Sequence, residues 1–263
     1  MYSYTDQINR SIQLPGIPKR IVSLVPSQTE LLADLGLADA VVGITKFCVH
    51  PESWFRSKQR VGGTKKVNMD TVHRLQPDLI IANKEENVKE QVEELAVHYP
   101  VWVSDVNDLI DALAMIRSLG ALTGTVAGAA AIAGSIEAGF ASLAGITPVI
   151  RAAYLIWRDP WMTVGHDTFI HHLLQRCGLQ NVFEQQSRYP AIDIAALQAA
   201  DCKLLLLSSE PYPFKQQHID ELQQHLPATR ILLVDGEMFS WYGSRLLQAP
   251  AYFQQLLGLV HSK

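Results

Sequence analysis

The sequence predicts an α/β protein of two similar lobes with mainly parallel sheets, joined by a single long backbone helix, with a ligand cleft between the lobes. Short apolar runs of strand character alternate with helix-like segments in both halves, which is typical of βαβ units. Landmarks of the first half also return in the second half, in the same order. Clefts at domain interfaces are common ligand sites, so two lobes of one design indicate a binding protein.

The internal repeat is the observation on which this prediction depends most. Its period of about 130 residues is far longer than the roughly 20–50 residues of a solenoid unit, so it indicates two lobes rather than an array. Three segments recur: 31–37 returns as 173–179, 70–82 returns as 193–207, and 101–105 returns as 231–235.

The first lobe is predicted over residues 1–104. Its apolar runs predict strands at 20–25, 41–44, 78–82 and 101–103, and the segments between them predict helices that begin near Ser27, at 68–75 and at 85–97. Ser27 and Glu30 have the spacing of a capping box in front of an apolar face, and Gly36 is expected to end that helix.

The connecting region is predicted over 105–147 and the second lobe over 148–263. Segments 105–119 and 125–143 are both compatible with a helix, and a helix of about 20 residues would span roughly 30 Å along the back of both lobes. In the second lobe, strands are predicted at 152–157, 204–207 and 231–234.

Bulk composition excludes several classes of protein. The net charge of −4 provides no basic stripe for nucleic acid, so no nucleic-acid partner is expected. The uncharged stretch between Arg117 and Glu137 is rich in Ala and Gly and too weakly hydrophobic to span a bilayer. No charged region followed by an apolar run opens the chain, so the address is cytoplasmic as the chain stands, or periplasmic if a leader has been removed.

The loops that follow the predicted strands are rich in aromatic residues. In a parallel sheet ligands bind outside the carboxyl ends of the strands, so these rings predict an apolar stacking wall for a large planar ligand. The rings are Phe47, Trp157, Trp161, Tyr212, Phe214, Phe239, Trp241 and Tyr242.

Polar residues of the same loops are candidate ligand contacts, and they leave a second hypothesis open. The contacts are His50, Arg158, Glu210, Asp235 and Arg245. His50 and His166, together with nearby carboxylates, could instead ligate a divalent metal ion directly. No phosphate-binding glycine loop or nucleophile elbow is present, so the chain is not expected to be an enzyme; an enzyme acting on a tetrapyrrole or chelate is the third hypothesis.

Six short motifs carry a family resemblance over nearly the whole chain, from about residue 20 onward. They are PSQTEL at 26–31, GIT at 43–45, HP at 50–51, VGG at 61–63, LQPDLIIA at 75–82 and GLQNVF at 178–183. The chain resembles the periplasmic cobalamin- and ferric-siderophore-binding proteins of ABC importers, the class III proteins with a helical backbone. The resemblance implies two α/β lobes and a ligand such as cobalamin, haem or a ferric siderophore, with no intrinsic cofactor.

The resemblance also implies roles for single residues. Asp70 and Asp193 match the acidic positions, one on each lobe, that dock onto the membrane permease. Phe47, Tyr189 and Asp235 match ligand-contacting positions, whereas Asn83 stands where a tryptophan is usual. The implied partners are a small metal-chelate ligand and the permease subunits of an importer, and the protein itself is expected to be a monomer. A cytosolic relative that binds a similar chelate without an importer is the alternative.

Overall fold

The computed structural model describes residues 1–143 and 149–261, and these residues divide into two compact units. Unit 1 comprises Met1–Val106, Ile110–Ser135 and Tyr242–Arg245. Unit 2 comprises Asn107–Leu109, Ile136–Trp241 and the described residues from Leu246 onward. The predicted boundary between residues 147 and 148 lies outside the described residues.

Thirteen strands are present in the described part of the chain. They are β1 (Tyr2–Thr5), β2 (Ser11–Leu14), β3 (Ile21–Ser23), β4 (Val41–Ile44), β5 (Gln59–Arg60), β6 (Leu79–Asn83), β7 (Val101–Ser104), β8 (Ile150–Leu155), β9 (Trp161–Met162), β10 (Leu179–Asn181), β11 (Ala191–Ile192), β12 (Leu204–Ser208) and β13 (Arg230–Val234).

Eleven α-helices and one 3₁₀ turn (Ser244–Leu247) occur within the same residues. The helices are α1 (Pro26–Asp34), α2 (Glu52–Ser57), α3 (Met69–Leu75), α4 (Lys89–His98), α5 (Leu109–Thr123), α6 (Val126–Ala141), α7 (Phe169–Arg176), α8 (Ile194–Ala199), α9 (Gln216–His225), α10 (Glu237–Ser240) and α11 (Ala249–His261). None of the described helices is both long and apolar enough to cross a lipid bilayer.

The core of unit 1 is a five-stranded parallel sheet in the order β5-β4-β3-β6-β7. Strands β3 and β6 are buried at every position, as expected for central strands of a parallel sheet covered on both faces. One apolar cluster on this sheet contains Val22, Val72, Ile80 and Leu95, so it joins β3 and β6 to α3 and α4.

Unit 2 contains a four-stranded parallel sheet in the order β10-β8-β12-β13, built along the same route as the sheet of unit 1. In each sheet the first strand, β3 or β8, lies in the interior. The second strand, β4 or β10, pairs on one side of it, and β6–β7 or β12–β13 follow on the other side. This shared order confirms the predicted α/β fold with parallel sheets and two similar lobes.

The repeat extends to the way the first helix of each unit ends. Gly36 after α1 has φ of 77°, and Gly178 after α7 has φ of 74°. Both glycines adopt the left-handed conformation that follows many helices and that other residues adopt only with strain. The two Gly-Leu dipeptides that revealed the repeat therefore mark equivalent helix ends.

The capping box predicted at Ser27 and Glu30 is wrong, although the helix itself forms. The residue before α1 is Val25, which makes no side-chain cap, and Pro26 begins the helix. Proline is common at this position because its fixed φ suits a helix and the missing N–H has no partner there anyway. Glu30 is engaged elsewhere, in an ion pair described below.

Two features of unit 1 differ from the sequence prediction in extent. The N-terminal residues form an antiparallel hairpin, β1–β2, where no strand was predicted. The charged helix predicted at 85–97 begins only at Lys89, because Asn83 turns the preceding loop by accepting hydrogen bonds from the amides of Glu85 and Glu86.

The predicted backbone helix at 125–143 is α6, which ends at Ala141. The boundary between the two units falls inside α6, after Ser135. Its buried positions include Ala129, Ala133 and Ile136, so small side chains form much of the packed face, as expected from the composition.

Candidate ligand-binding site

The predicted binding loops of unit 2 follow three neighbouring strands of one parallel sheet. Trp157 follows β8, Glu210 follows β12, and Asp235 directly follows β13. Because β8, β12 and β13 are adjacent and parallel, their carboxyl ends share one edge of the sheet. The sequence prediction that these loops lie together is therefore fulfilled within unit 2.

Four aromatic rings pack against one another at this edge. Trp157 meets Tyr212 edge to face, with ring centroids 5.7 Å apart, and Tyr212 lies 4.8 Å from Phe214. Trp161 stacks on the other side of the group, 6.0 Å from Phe214 and inclined by only 6°. We call Trp157, Trp161, Tyr212 and Phe214 the aromatic cluster. Phe214 is buried, but 40% of Trp157 is exposed, so the cluster has one open ring at the protein surface.

Arg158 is held against the aromatic cluster by a carboxylate that the sequence did not point to. Its Nη2 donates to both carboxylate oxygens of Glu221, at 2.8 and 2.9 Å, and its guanidinium lies 5.3 Å from the Trp161 ring centroid. Glu221 is on α9, three residues after His218, which packs against Tyr212 and Phe214.

The loop that carries Tyr189 is tied to the same region by a small second sheet. Strand β11 pairs with β9, so the residues after Tyr189 lie alongside Trp161 and Met162. Thr163 also donates its backbone N–H to the carbonyl of Pro190. The Arg188 guanidinium lies 5.6 Å from the Tyr189 ring.

Three carboxylates accompany the aromatic cluster after β12 and β13. One oxygen of Glu210 accepts hydrogen bonds from the Ser240 hydroxyl at 2.6 Å and the Trp241 indole at 2.9 Å. Burial raises the pKa of Glu210, and the neighbouring Glu237 and Asp235 raise it further despite these two donors. Glu210 is therefore a partly buried acid that resists ionisation more than an exposed glutamate does.

The remaining predicted residues of the β13 loop contribute to packing or to the loop backbone. Phe239 is fully buried, 5.1 Å from Tyr154 and 4.8 Å from Phe253, so the structure places it in the core of unit 2. The backbone N–H of Asp235 donates to the Tyr252 hydroxyl, and its carboxylate accepts from the amide of Glu237.

In unit 1, one predicted aromatic residue is exposed at the carboxyl end of the sheet. Phe47 follows β4, 50% of its surface is exposed, and the Lys46 ammonium lies 5.0 Å from its ring centroid. Within the described residues, no other aromatic ring packs against Phe47. It is a single apolar surface beside a cation.

Asn83, by contrast, is buried and stabilises the loops of unit 1. Its amide nitrogen donates to the backbone carbonyl and hydroxyl of Ser104, and its amide oxygen accepts from two backbone N–H groups of the following loop. Gln28 donates to the same Ser104 hydroxyl, and Asn87 accepts from the backbone N–H of Asn83. Both groups of the Asn83 amide are thus engaged inside the unit.

Arg245 also has a partner inside unit 1. It binds both oxygens of Glu30, at 2.6 and 3.0 Å, with the two side chains only 10% and 14% exposed. Burial raises the pKa of Glu30 by more than the guanidinium lowers it. Nearby, the Tyr242 hydroxyl donates to Glu86 at 3.0 Å. These contacts fix Tyr242–Arg245 to unit 1.

The two histidines of the direct-metal hypothesis belong to different units. His166 of unit 2 has its Nδ1 2.8 Å from the carbonyl oxygen of Gln186. His50 of unit 1 is half-buried, and its proximity lowers the pKa of Glu30, which favours the charged form of the Glu30 carboxyl. Across residues 1–143 and 149–261, no group of three or more His, Cys, Asp or Glu side chains could hold a metal ion.

The two acidic residues matched to permease docking are exposed at helix N-termini, in different helical positions. Asp193 is the N-cap of α8 and accepts a 2.7 Å hydrogen bond from the amide of Ala196. Asp70 is in the first turn of α3, whose N-cap is Asn68. The repeat therefore aligns the two segments, but a carboxylate occupies the cap in unit 2 only.

Sequence reasoning missed the residues that hold the site residues in place, namely Glu221, His218, Ser240 and Glu30. A helical spacing of three residues between His218 and Glu221 was the one available signal, because it places both side chains on the same face of α9. Glu30 and Arg245 are 215 positions apart, and no local pattern connects them.

Each of the two α/β units contains a parallel sheet with aromatic and acidic residues in the loops at its strand ends. This arrangement defines an α/β protein of the class that binds small molecules. The family described as periplasmic binding protein matches residues 21–231, and the chain belongs to that family. Its members are substrate-binding proteins, in agreement with the class III importer resemblance found in the sequence.

Curated relatives and solved structures agree with this assignment. A vitamin B12-binding protein of Pectobacterium carotovorum is 23% identical over 240 residues, covering 89% of this chain and 86% of the relative. A cobalamin-binding protein of Halobacterium salinarum is 28% identical over 205 residues, covering 74% and 55%.

The solved structures show the same fold at low sequence identity. The periplasmic vitamin B12-binding protein of Vibrio cholerae has a TM-score of 0.79 at 19% identity, covering 94% of this chain and 99% of that one. A periplasmic haem-binding protein of Roseiflexus has a TM-score of 0.78 at 21% identity, covering 91% and 99%.

Proposed function

We propose that this protein is the substrate-binding component of an ABC importer and carries a cobalamin-like or iron-chelate ligand. The observation that carries the proposal is the aromatic cluster at the strand ends of unit 2, with the exposed ring of Trp157. Ligands of this class are broad and largely planar, and aromatic side chains bind such surfaces by stacking. Relatives named for vitamin B12, cobalamin and haem support the same ligand class.

Within this proposal, the predicted contacts take two kinds of role. Trp157, Trp161, Tyr212 and Tyr189 supply rings, and Phe47 supplies a further ring from unit 1. Arg158, His50, Glu210, Asp235 and Trp241 supply or position polar groups. Asn83, Phe239 and Arg245 act through the loops and core that they stabilise, since each is buried among partners of its own unit.

Delivery to a permease requires exposed docking points, and Asp70 and Asp193 are proposed to serve this role. Both carboxylates are exposed at a helix N-terminus, Asp193 at the N-cap and Asp70 in the first turn, where the helix dipole favours a negative charge that basic permease residues could bind. We further propose that the protein works in the periplasm, as the name of the Vibrio cholerae protein supports, and that it is a non-catalytic monomer.

The proposal is tested by titrating the purified protein with cyanocobalamin, with haemin and with a ferric hydroxamate chelate. We expect one of them to bind with a change in its visible spectrum and to quench tryptophan fluorescence. The protein is also assayed for metal content after purification without chelators. Absence of binding by all three probes would contradict the ligand class, and a stoichiometric divalent metal lost in His166→Ala would support the direct-metal hypothesis instead.

A further inference from the structure

The aromatic cluster of unit 2 rests on one face of α9, and this support has a definite structure. His218 and Glu221 are three residues apart on α9, so their side chains emerge from the same side of the helix. His218 reaches Tyr212 and Phe214, whereas Glu221 reaches Arg158. The helix therefore contacts Tyr212 and Phe214 directly through His218, and it reaches Trp161 indirectly, through Glu221 and Arg158.

His218 fixes the half that follows β12. It is 3% exposed, and its Nδ1 accepts the backbone N–H of Lys215, which orients the ring at the start of α9. Its Nε2 lies 3.3 Å from the Tyr212 hydroxyl, and its ring meets Phe214 at 90°. Tyr212 is thus held by a hydrogen bond at its hydroxyl and by ring packing along its side.

Glu221 fixes the half that follows β8. Its carboxylate receives both hydrogen bonds from one nitrogen of Arg158, and the guanidinium then lies over the Trp161 ring, which stacks on Phe214. The Glu221 carboxylate, the Arg158 guanidinium, the Trp161 indole and the Phe214 ring form one continuous series of contacts. Arg158 Nη1 also donates to the exposed Asp159 at 3.2 Å, so turning the guanidinium away from Trp161 would break both bonds to Glu221 and leave only that exposed carboxylate beside it.

We propose that Glu221, acting through Arg158, is a positioning residue for the aromatic cluster, and that α9 orders this cluster before any ligand binds. The inference rests on the proposed function, because it assumes that the aromatic cluster is the ligand-binding surface. Rings ordered in advance lose less conformational freedom when a ligand binds, so preorganisation increases affinity without adding a contact.

The test compares Glu221→Gln with Asp220→Asn. Both substitutions remove one negative charge from α9, but Asp220 is exposed and accepts a hydrogen bond from Gln216 on its own helix. Arg158→Lys is the third variant, since it keeps the positive charge and loses the planar fork that stacks on Trp161. Indole N–H resonances of the unliganded proteins are recorded, with Trp157→Phe and Trp161→Phe used for assignment. Affinity is measured with cyanocobalamin, haemin and the ferric hydroxamate chelate.

In Glu221→Gln and Arg158→Lys we expect the Trp161 indole resonance to shift or broaden while those of Trp54 and Trp102 stay in place. Affinity for the probe that binds is expected to fall about five-fold with an unchanged melting temperature, because an ion pair this exposed adds little to folding. Asp220→Asn should leave both measurements unchanged.

An unchanged Trp161 resonance in Glu221→Gln, or an unchanged affinity with a shifted resonance, would overturn the proposal. If Asp220→Asn lost as much affinity as Glu221→Gln, the proposal would be overturned as well, because the loss would then follow from the change in net charge. If the wild-type protein binds none of the three probes, the proposed function fails, and the resonances of the unliganded variants alone decide whether Glu221 orders the aromatic cluster.

Discussion

The strand-end loops of units 1 and 2 are built on the same frame but differ in the side chains that dominate them. In unit 1 the polar side chains bind one another: Asn83 binds Ser104, and Glu30 binds Arg245. In unit 2 the corresponding edge carries four packed rings and three carboxylates, with Trp157 open to solvent. Under the proposed function, the duplicated fold therefore uses its strand-end loops for internal stability in unit 1 and for ligand contact in unit 2.

The contrast extends to the arginines that the sequence analysis placed in the binding site. Arg245 is nearly buried and neutralised by Glu30, whereas Arg158 is more exposed and lies over an aromatic ring. Arg245 thus stabilises unit 1, and Arg158 orders a surface of unit 2. Substitutions at the two positions should therefore affect different properties of the protein.

The largest expected effect is the loss of stability on replacing Arg245. Arg245→Met leaves the Glu30 carboxylate buried without its cation, and removing one partner of a buried ion pair costs about 3–5 kcal/mol in free energy of unfolding. Urea unfolding at neutral pH measures the change. Arg56→Met is the matched control, because its pair with Glu52 is exposed on both sides. An equal loss in free energy of unfolding for Arg245→Met and Arg56→Met would show that the Glu30–Arg245 pair does not stabilise unit 1 more than an exposed pair does.

A smaller effect is expected on affinity when the exposed rings of the two units are removed. Trp157→Ala should weaken binding of the probe ligand about 30-fold, because an anchoring aromatic contributes about 2 kcal/mol. Phe47→Ala should weaken it about three-fold, since a lone ring beside a lysine offers less stacking surface. Fluorescence titration measures both affinities, with Tyr2→Ala, an exposed ring on β1, as the control. A larger loss for Phe47→Ala would reverse the assignment of the two edges.

The smallest expected effect is a change in the pH dependence of stability at Glu210. Folding raises the pKa of this carboxyl through burial, so its contribution to stability is fully present below the ordinary carboxyl pKa and is lost as pH rises through the raised value. Glu210→Gln keeps an acceptor for Ser240 and Trp241 but cannot ionise. Relative to the wild type, this variant should therefore gain stability as pH increases.

Urea unfolding of both proteins from about pH 4 to about pH 8 measures this difference. Exposed Asp220→Asn provides the control, because no buried charge is removed there. A difference between Glu210→Gln and the wild type that stays constant with pH would show that Glu210 ionises in the folded protein as it does in the unfolded chain.

The sequence was sufficient to predict the architecture because the relevant signals are local and repeated. Apolar runs identify β3, β6, β8 and β12, and equivalent glycines at 36 and 178 mark equivalent helix ends. Chain order then assigns the loops to strand ends, since parallel strands have one carboxyl edge. Trp157, Tyr212 and Glu210 were brought to one edge by this reasoning alone.

Partners between distant segments could not be predicted in the same way. Ser27 and Glu30 match a capping box, but Glu30 binds an arginine of the C-terminal segment instead, and α1 begins at Pro26 without a side-chain cap. Phe239 follows a strand as Trp157 does, yet it packs against Tyr154 and Phe253. Burial depends on the assembled unit, and a single sequence does not reveal it.

The strand-end edge of unit 2 is proposed as the principal ligand-binding face, and hydrogen exchange tests this location most directly. Amide exchange is followed by mass spectrometry with and without a saturating amount of the chelate that binds. We expect slower exchange in segments 157–162 and 209–214 of unit 2, larger than any change in segments 45–50 and 83–87 of unit 1. Protection confined to the unit 1 segments, with unchanged exchange around Trp157 and Tyr212, would contradict the claim.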